Sequence, residues 1–189
     1  ASTVHYGISR WIPIHPGSRR EYGGDYNSFT CCHSMGMKAH LGYQQAAYSK
    51  TGEALYVNLY LPSSVSWQEK GIKITQETEF PSETTKLSIS ALPEMEAQGI
   101  QLKLRVPYWA TEGFAVKVNG KDVEEPAEAA TYLTLEHIQA GDVIEIKMPW
   151  TAHLDKTPDY IGTSTVASVM YGPFVMAVRN NSRDWLTLV

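Results

Sequence analysis

Cysteine is scarce in this sequence: the 189 residues contain only two, Cys31 and Cys32, and these are neighbours. A disulfide between adjacent residues is strained and closes no useful loop, so the chain cannot rely on disulfides for its stability. The cysteine content therefore gives no information about the cellular compartment. The chain is instead long enough to bury a complete hydrophobic core, and its 43% hydrophobic and 19% charged residues are typical of a globular protein.

Long apolar runs and a strong charge bias are also missing. The most apolar stretches, such as SVMYGPFVMAV, fall short of the ~20 residues that a membrane-spanning helix needs. A net charge of −4 gives no electrostatic indication of nucleic acid or an anionic membrane as a partner. The first residues lack a signal-peptide pattern and an initiator Met, which indicates a processed or excised piece. We expect no nucleic-acid partner and no membrane anchor.

Two patterns of organisation meet near Gly52. Residues 1–30 are rich in Gly, Pro, Tyr and His without periodicity, which predicts a long loop, and loops of this length are usually functional or disordered. Apolar residues at helical spacing then predict a helix from Ser34, as its N-cap, to about Tyr48. The two cysteines are expected just before the start of this helix.

After Gly52 the pattern has a period of two residues, which predicts strands. Seven such segments, separated by turn residues, predict an antiparallel β-sandwich without a long helix: ALYVNLYLP, GIKITQETEF, TKLSISAL, IQLKLRVPYW, FAVKVNG, TYLTLEHI and DVIEIKMPW. Asn119-Gly120 predicts a hairpin turn. Residues 151–163 are expected to form a loop, and ASVMYGPFVMAV to add one or two strands. The predicted domains are 1–52, 53–150 and 151–189, and the last is expected to start, or to return to, a second sandwich.

The adjacent cysteines have three interpretations. They can be buried core thiols, since free cysteine is among the most frequently buried residue types. They can be zinc ligands, which thiolates suit, although the Cys-x-x-Cys spacing is absent. One of them can be a nucleophile whose thiolate is stabilised by a helix N-terminus, a metal or a cation. The pair alone leaves all three open.

The sequence around the pair resembles a known family. WIPIHPG, NSFTCCHSMGMKAH, LYVNLY and GIKITQETEFP resemble, in order and spacing, the cysteine-dependent β-L-arabinofuranosidases, which are bacterial glycoside hydrolases. LKLRVPYWA, VKVNG and VASVMYGPFV resemble the sandwich region of the same family. The resemblance implies a parent enzyme with an (α/α)6 catalytic barrel, mostly upstream, followed by β-sandwich domains. Residues 1–52 would then be the loop and helix that end this barrel.

The resemblance also implies roles for the cysteines. In that family the first cysteine is the nucleophile, and both bind zinc together with a third Cys and a Glu. Cys31 would therefore be the nucleophile and a zinc ligand, and Cys32 a zinc ligand. The other ligands and the Glu acid/base would lie outside this sequence. The implied reaction is hydrolysis, with retention, of terminal β-L-arabinofuranosides or a related plant-glycan linkage.

Further expectations follow from the resemblance. His33 and His15 are candidate substrate contacts, although a lone histidine more often has only a structural hydrogen bond. Lys38 stands where the family commonly has an acidic residue. The isolated chain should be inactive because the barrel and the acid/base are missing. Export to the periplasm or cell surface is expected from the substrate class alone.

The alternative function is a non-catalytic β-sandwich module that binds carbohydrate or packs against a catalytic partner. Aromatic faces pack well on sugar C–H surfaces, and four residues are candidates for this contact: Trp67, Tyr108, Trp109 and Trp150. Their positions at strand ends favour core or interdomain packing instead. A bound zinc or a reactive Cys31 would favour the enzyme.

Overall fold

The computed structural model describes residues 31–161 and 164–177, in two compact units that divide between Ser49 and Lys50. Most of the described residues of the first unit form helix α1, Cys31–Ala47. The cysteines therefore lie in its first turn and not before it, and the prediction of Ser34 as N-cap is wrong. Serine is also tolerated within the first turn of a helix, where N–H groups lack intrahelical acceptors. Ser34 therefore indicated that a helix begins nearby, but not the residue at which it begins.

Thirteen strands are described after α1. Their bounds are β1 Tyr48–Thr51, β2 Ala54–Val57, β3 Ser63–Trp67, β4 Ile72–Glu77, β5 Thr84–Ala91, β6 Ile100–Arg105, β7 Ala115–Val118, β8 Lys121–Asp122, β9 Tyr132–Ile138, β10 Val143–Lys147, β11 Ala152–Ile161, β12 Ser164–Tyr171 and β13 Phe174–Val175. A short 3-10 helix, Gln68–Lys70, follows β3. The chain is therefore mainly β, as predicted.

The strands form three sheets. The four-stranded sheet has the order β1-β2-β6-β9, and the six-stranded sheet has the order β3-β4-β5-β10-β7-β8. These two sheets form the predicted β-sandwich. A third sheet, β11-β12-β13, follows them in the chain.

Alternation of apolar and polar residues explains the sandwich. Along β6, Ile100, Leu102 and Leu104 are buried, and the residues between them are partly exposed. The same alternation places aliphatic side chains of the six-stranded sheet in the core: Ile72, Ile74, Leu87, Ile89, Val116, Ile144 and Ile146. Burial of one such side chain stabilises the fold by about 1.5–3 kcal/mol. The core between the two sheets is therefore the main source of stability.

The predicted hairpin is confirmed. Asn119 and Gly120 have φ values of +53° and +78°, and they connect β7 to β8, which pair antiparallel. A two-residue turn with positive φ at both positions matches the right-handed twist of the flanking strands. Asn and Gly tolerate this conformation best, which is why the dipeptide was informative.

One strand pair departs from the antiparallel prediction. β2 pairs with β6 in parallel, whereas the other pairs whose register is described are antiparallel. A parallel pair needs a long crossover connection, and the segment containing β3, β4 and β5 provides it. Buried and exposed side chains alternate in the same way in parallel and antiparallel strands, so the sequence pattern could not distinguish the two kinds of pairing.

The prediction of a loop at residues 151–163 is wrong for Ala152–Ile161, which form β11. β11 pairs antiparallel with β12, but the register shifts between Lys156 and Tyr160. Pro158 lies in this irregular part, where the ladder does not need the N–H that proline lacks. The proline and the weak alternation concealed the strand. The strands predicted in ASVMYGPFVMAV are confirmed as part of β12 and as β13.

Candidate functional site

The predicted catalytic residues lie at the start of α1. Cys31 and Cys32 are its first two described positions, and His33 follows them. The side chains of these three residues lie outside the described part of the chain, as does the whole of His15. The first turn of a helix has free N–H groups and the positive end of the helix dipole, and both stabilise a thiolate. The backbone position suits a nucleophile or a zinc ligand, and both roles stay predictions.

The described part of α1 adds no acidic group to this turn. Its first turn contains no Asp or Glu, and Lys38 is exposed. Further along the helix, His40 packs edge-to-face on Tyr43, with ring centroids 5.7 Å apart. Among the described residues, no group of three or more His, Cys, Asp or Glu side chains could hold a metal ion. A zinc ion needs three or four protein ligands, so the described residues do not form a complete site.

The four aromatic candidates for sugar contact have different environments. Trp67 and Trp109 are only 5% and 9% exposed, so both pack in the protein interior. Trp150 packs edge-to-face on Tyr171 and Phe174, with ring centroids 6.0 and 5.1 Å away. Packing therefore occupies these three indoles, and among the four only Tyr108 is largely exposed.

Tyr108 belongs to a polar cluster that sequence reasoning missed. Its hydroxyl donates a 2.6 Å hydrogen bond to Oδ2 of Asp155 on β11, and this bond raises the pKa of Tyr108. His153 Nε2 lies 3.8 Å from Asp155 Oδ1 and is buried without a hydrogen-bond partner among the described residues. The cluster connects the loop that follows β6 with strand β11. No pattern in the sequence brings these residues together, because His153 and Asp155 follow Tyr108 by 45 and 47 positions.

The outer face of the six-stranded sheet carries a row of alternating charges. The strand registers place Glu77, Lys86, Glu145, Lys117 and Asp122 side by side across five strands. Lys86 Nζ lies 4.0 Å from Glu77, and Lys117 Nζ lies 3.4 Å from Asp122. A groove of about 790 Å³ runs along this row. Opposite charges on adjacent strands stabilise the pairing register, so the row has a structural explanation.

The outer face of the four-stranded sheet has a different feature, a polar cleft of about 390 Å³. Its lining includes Tyr56 of β2, Gln101 and Lys103 of β6, and Glu136 and His137 of β9. These positions point outward because their strand neighbours Leu55, Leu102 and Leu135 point into the core. The sequence signal was the adjacent pair Glu-His in TYLTLEHI, which interrupts the alternation.

The described helices include none that is long and apolar enough to cross a membrane. Among curated proteins, no relative matches this sequence. The family described as "Beta-L-arabinofuranosidase, GH127 middle domain" matches residues 54–150, just over half of the chain.

Solved structures of glycoside hydrolases resemble the chain. One, described as "Glycoside hydrolase", has a TM-score of 0.66 and 28% identity over 85% of this chain and 26% of its own. Ara127N-Se, a GH127 β-L-arabinofuranosidase from Geobacillus stearothermophilus T6, has a TM-score of 0.60 and 27% identity over 78% of this chain and 24% of its own. A GH127 β-arabinofuranosidase at 24% identity, over 77% of this chain and 25% of its own, has a TM-score of 0.63 and supports the fold.

The chain spans about a quarter of the length of these structures. The match to the middle domain coincides with the two-sheet sandwich, and the cysteine turn precedes it in the chain. Sequence and fold agree, and the chain belongs to the GH127 β-L-arabinofuranosidase family of glycoside hydrolases.

Proposed function

We propose that this chain is part of a retaining glycoside hydrolase that acts on β-L-arabinofuranosides or related plant glycans, with Cys31 as the nucleophile. The observation that carries the proposal is the family match over 54–150 directly after a helix whose first turn contains adjacent cysteines. Family membership supports the reaction class. The helix terminus supports a reactive thiolate.

The donor chemistry of the cysteine pair fits zinc. Thiolates are preferred zinc ligands, and Cys31 and Cys32 would supply two of them. The remaining ligands and the acid/base Glu would come from outside the described residues, which hold no further cluster of metal-binding side chains. When bound, zinc keeps a coordinating thiol deprotonated at neutral pH.

The chain supplies the nucleophile in this mechanism. The Cys31 thiolate attacks the anomeric carbon, and the bond to the leaving oxygen breaks as the Glu protonates that oxygen. The resulting thioglycosyl intermediate links the sugar to Cys31. The Glu then takes a proton from a water molecule, whose oxygen displaces the sulfur and regenerates the thiolate. Two displacements at one carbon give net retention. In this proposal His33 and His15 contact the sugar.

The catalytic barrel would contact α1. Met35, Leu41 and Tyr43 on this helix are 64%, 68% and 52% exposed, and an apolar helix surface is normally covered by a neighbouring element. The chain also spans only about a quarter of the solved relatives. Both observations support an upstream barrel ending within residues 1–52, a sandwich over 53–150, and strands of a further domain in 151–189. A glycan substrate supports export to the periplasm or cell surface.

The two cysteines provide a matched test in the full-length enzyme. Cys31→Ser should abolish nearly all turnover of an aryl β-L-arabinofuranoside with the fold retained, because serine lacks the low-pKa thiolate. Cys32→Ser should first weaken zinc affinity, and excess zinc should restore part of the activity. An arabinofuranosyl affinity reagent should add one sugar mass to the peptide containing Cys31.

The isolated 189-residue chain is the negative control and should give no turnover above background. Near-normal turnover by the Cys31→Ser enzyme would show that the cysteine pair is structural. The non-catalytic module, the alternative function, would then be the better account of this chain.

A further inference from the structure

The cleft on the four-stranded sheet is formed by a β-bulge on an edge strand. Ile100 pairs with Ile138 and Leu102 pairs with Leu135, so one residue of β6 opposes two residues of β9, Glu136 and His137. β9 is the last strand of its sheet. His137 has a φ of +58°, a conformation that residues with a side chain rarely adopt. Bulges redirect side chains and are frequent beside functional sites.

The bulge assembles hydrogen-bonding groups on one side of the cleft. Gln101 Nε2 donates a 2.6 Å hydrogen bond to Glu136 Oε1, which fixes both side chains. Gln101 Oε1 and Glu136 Oε2 have no other protein partner among the described residues and can accept hydrogen bonds from a ligand. Gln139 and Thr51 also line the cleft. The polar groups of Gln101, Glu136, Gln139 and Thr51 therefore lie together in the cleft.

An aromatic ring and an ammonium group form the other side. Lys103 Nζ lies 5.3 Å from the centroid of the Tyr56 ring, and Tyr132 packs edge-to-face on that ring at 5.2 Å. A hydrogen bond with the Thr51 side chain, followed by the nearby Lys103, lowers the pKa of Tyr56. The tyrosine is thus held in place by its neighbours and presents both an apolar edge and a polar hydroxyl.

The charges of the cleft favour an uncharged ligand. Glu53 is ion-paired with Lys70, which leaves the carboxylate of Glu136 and the ammonium group of Lys103 as one charge of each sign, so neither an anion nor a cation is favoured. The volume of about 390 Å³ lies near the lower end of the ~300–1,000 Å³ range of small-molecule sites. Amides, a carboxylate and an ammonium group are suited to hydroxyl groups, which both donate and accept.

We propose that this cleft binds a neutral saccharide of one or two sugar residues, without participation of the cysteine turn. The choice of a saccharide over another neutral polyol rests on the proposed function, whereas the site itself rests on the bulge and its hydrogen-bonding groups. Glu136 and Gln101 bind sugar hydroxyls, and Tyr56 contacts the ring. The role is substrate capture by the sandwich.

Titration of the 189-residue chain with methyl β-L-arabinofuranoside or maltose, followed by amide NMR and calorimetry, tests the proposal. At least one of these sugars should bind saturably, with the largest shift changes at Gln101, Lys103 and Glu136. Glu136→Ala should weaken binding about tenfold or more, because it removes a charged hydrogen-bond acceptor. Glu145→Ala, the same change on the other sheet, should change affinity less than about twofold.

Three results would overturn the proposal: no saturable sugar binding up to about 50 mM, equal weakening by Glu136→Ala and Glu145→Ala, or binding of inorganic phosphate but of neither sugar. NMR mapping needs no variant, so the proposal stays testable if Glu136→Ala is poorly folded. The proposed function is judged separately, from turnover by full-length Cys31→Ser. If the full-length enzyme is active and the 189-residue chain binds no sugar, the cleft proposal is rejected and the proposed function is not.

Discussion

The outer faces of the two sheets differ in how their polar groups are used. On the six-stranded sheet, Lys86 has Glu77 and Glu145 as its cross-strand neighbours, so opposite charges meet one another. On the four-stranded sheet, Lys103 lies between Tyr56 and Thr134, which carry no opposite charge. The two outer faces therefore differ in whether a lysine has a carboxylate opposite it on a neighbouring strand.

Two glutamines show a second contrast, between a buried and a partly exposed side chain. Gln76 on β4 is 2% exposed, and its Nε2 donates hydrogen bonds to the carbonyl oxygens of Leu59 and Leu61 at 3.0 and 2.5 Å. Its Oε1 has no hydrogen-bond partner among the described residues. Gln101 on β6 is partly exposed and bonds another side chain, Glu136. The first glutamine holds the backbone between β2 and β3, and the second lines the cleft.

The largest expected effect is therefore on the stability of Gln76→Ala. This change removes two hydrogen bonds and leaves the carbonyl oxygen of Leu59 without its side-chain donor, whereas that of Leu61 keeps the bond from Ser63 Oγ. It should lower the free energy of unfolding by about 1–3 kcal/mol. Gln101→Ala is the matched control and should cost less than about 1 kcal/mol, because water can replace its exposed bond. Urea unfolding of both variants measures the difference. An equal decrease in the free energy of unfolding for both variants would show that the burial of Gln76 does not make its hydrogen bonds more stabilising than that of Gln101.

A smaller effect is expected when the charge of one lysine on each sheet is reversed. Lys86→Glu places three carboxylates on adjacent strands and should destabilise the fold by about 1 kcal/mol. Lys103→Glu, with uncharged cross-strand neighbours, should cost about 0.5 kcal/mol or less. Because Lys86 is exposed and Lys103 is partly exposed, about 1 M salt should reduce the difference. A difference that salt does not change would argue against a charge effect.

The sequence was sufficient to predict local structure where alternation is regular. IQLKLR gave β6 because its buried and exposed positions alternate without interruption. It was insufficient where geometry depends on distant partners: the parallel pairing of β2 with β6 and the irregular β11 around Pro158 are set by strands far away in the chain. Tyr108 and Asp155 are likewise 47 positions apart.

The candidate site was predictable to a similar extent. The helix was predicted because apolar spacing marks helices locally, but Cys31 and Cys32 were expected just before its start and lie in its first turn. Their partners could not be found, since metal ligands and acid/base groups converge from separate parts of a chain. The cleft beside Glu136 was missed because a bulge changes only two residues of a strand pattern, and its effect appears only with the partner strand in place.

The smallest predicted effect concerns two tyrosines, one in the cleft and one bonded to an acid. The Thr51 hydrogen bond, and then Lys103, lower the pKa of Tyr56 below the ordinary value of 10.0. The hydrogen bond to Asp155 raises the pKa of Tyr108 above that value. Ionisation is thus easier for Tyr56 in the folded chain and harder for Tyr108, so alkaline pH should affect their contributions to stability in opposite directions.

The signs follow from proton linkage. Because the folded pKa of Tyr108 is raised, its contribution is complete below pH 10.0 and is lost as pH rises through the folded pKa. Because the folded pKa of Tyr56 is lowered, its contribution is present above pH 10.0 and is lost as pH falls through the folded pKa. Unfolding of Tyr56→Phe and Tyr108→Phe, each compared with the parent from about pH 9 to 11, measures both. The stability that Tyr108 adds should decrease over this range, whereas that of Tyr56 should increase. Parallel trends would mean that the cleft does not favour the Tyr56 phenolate, and the contrast between the two tyrosines would fail.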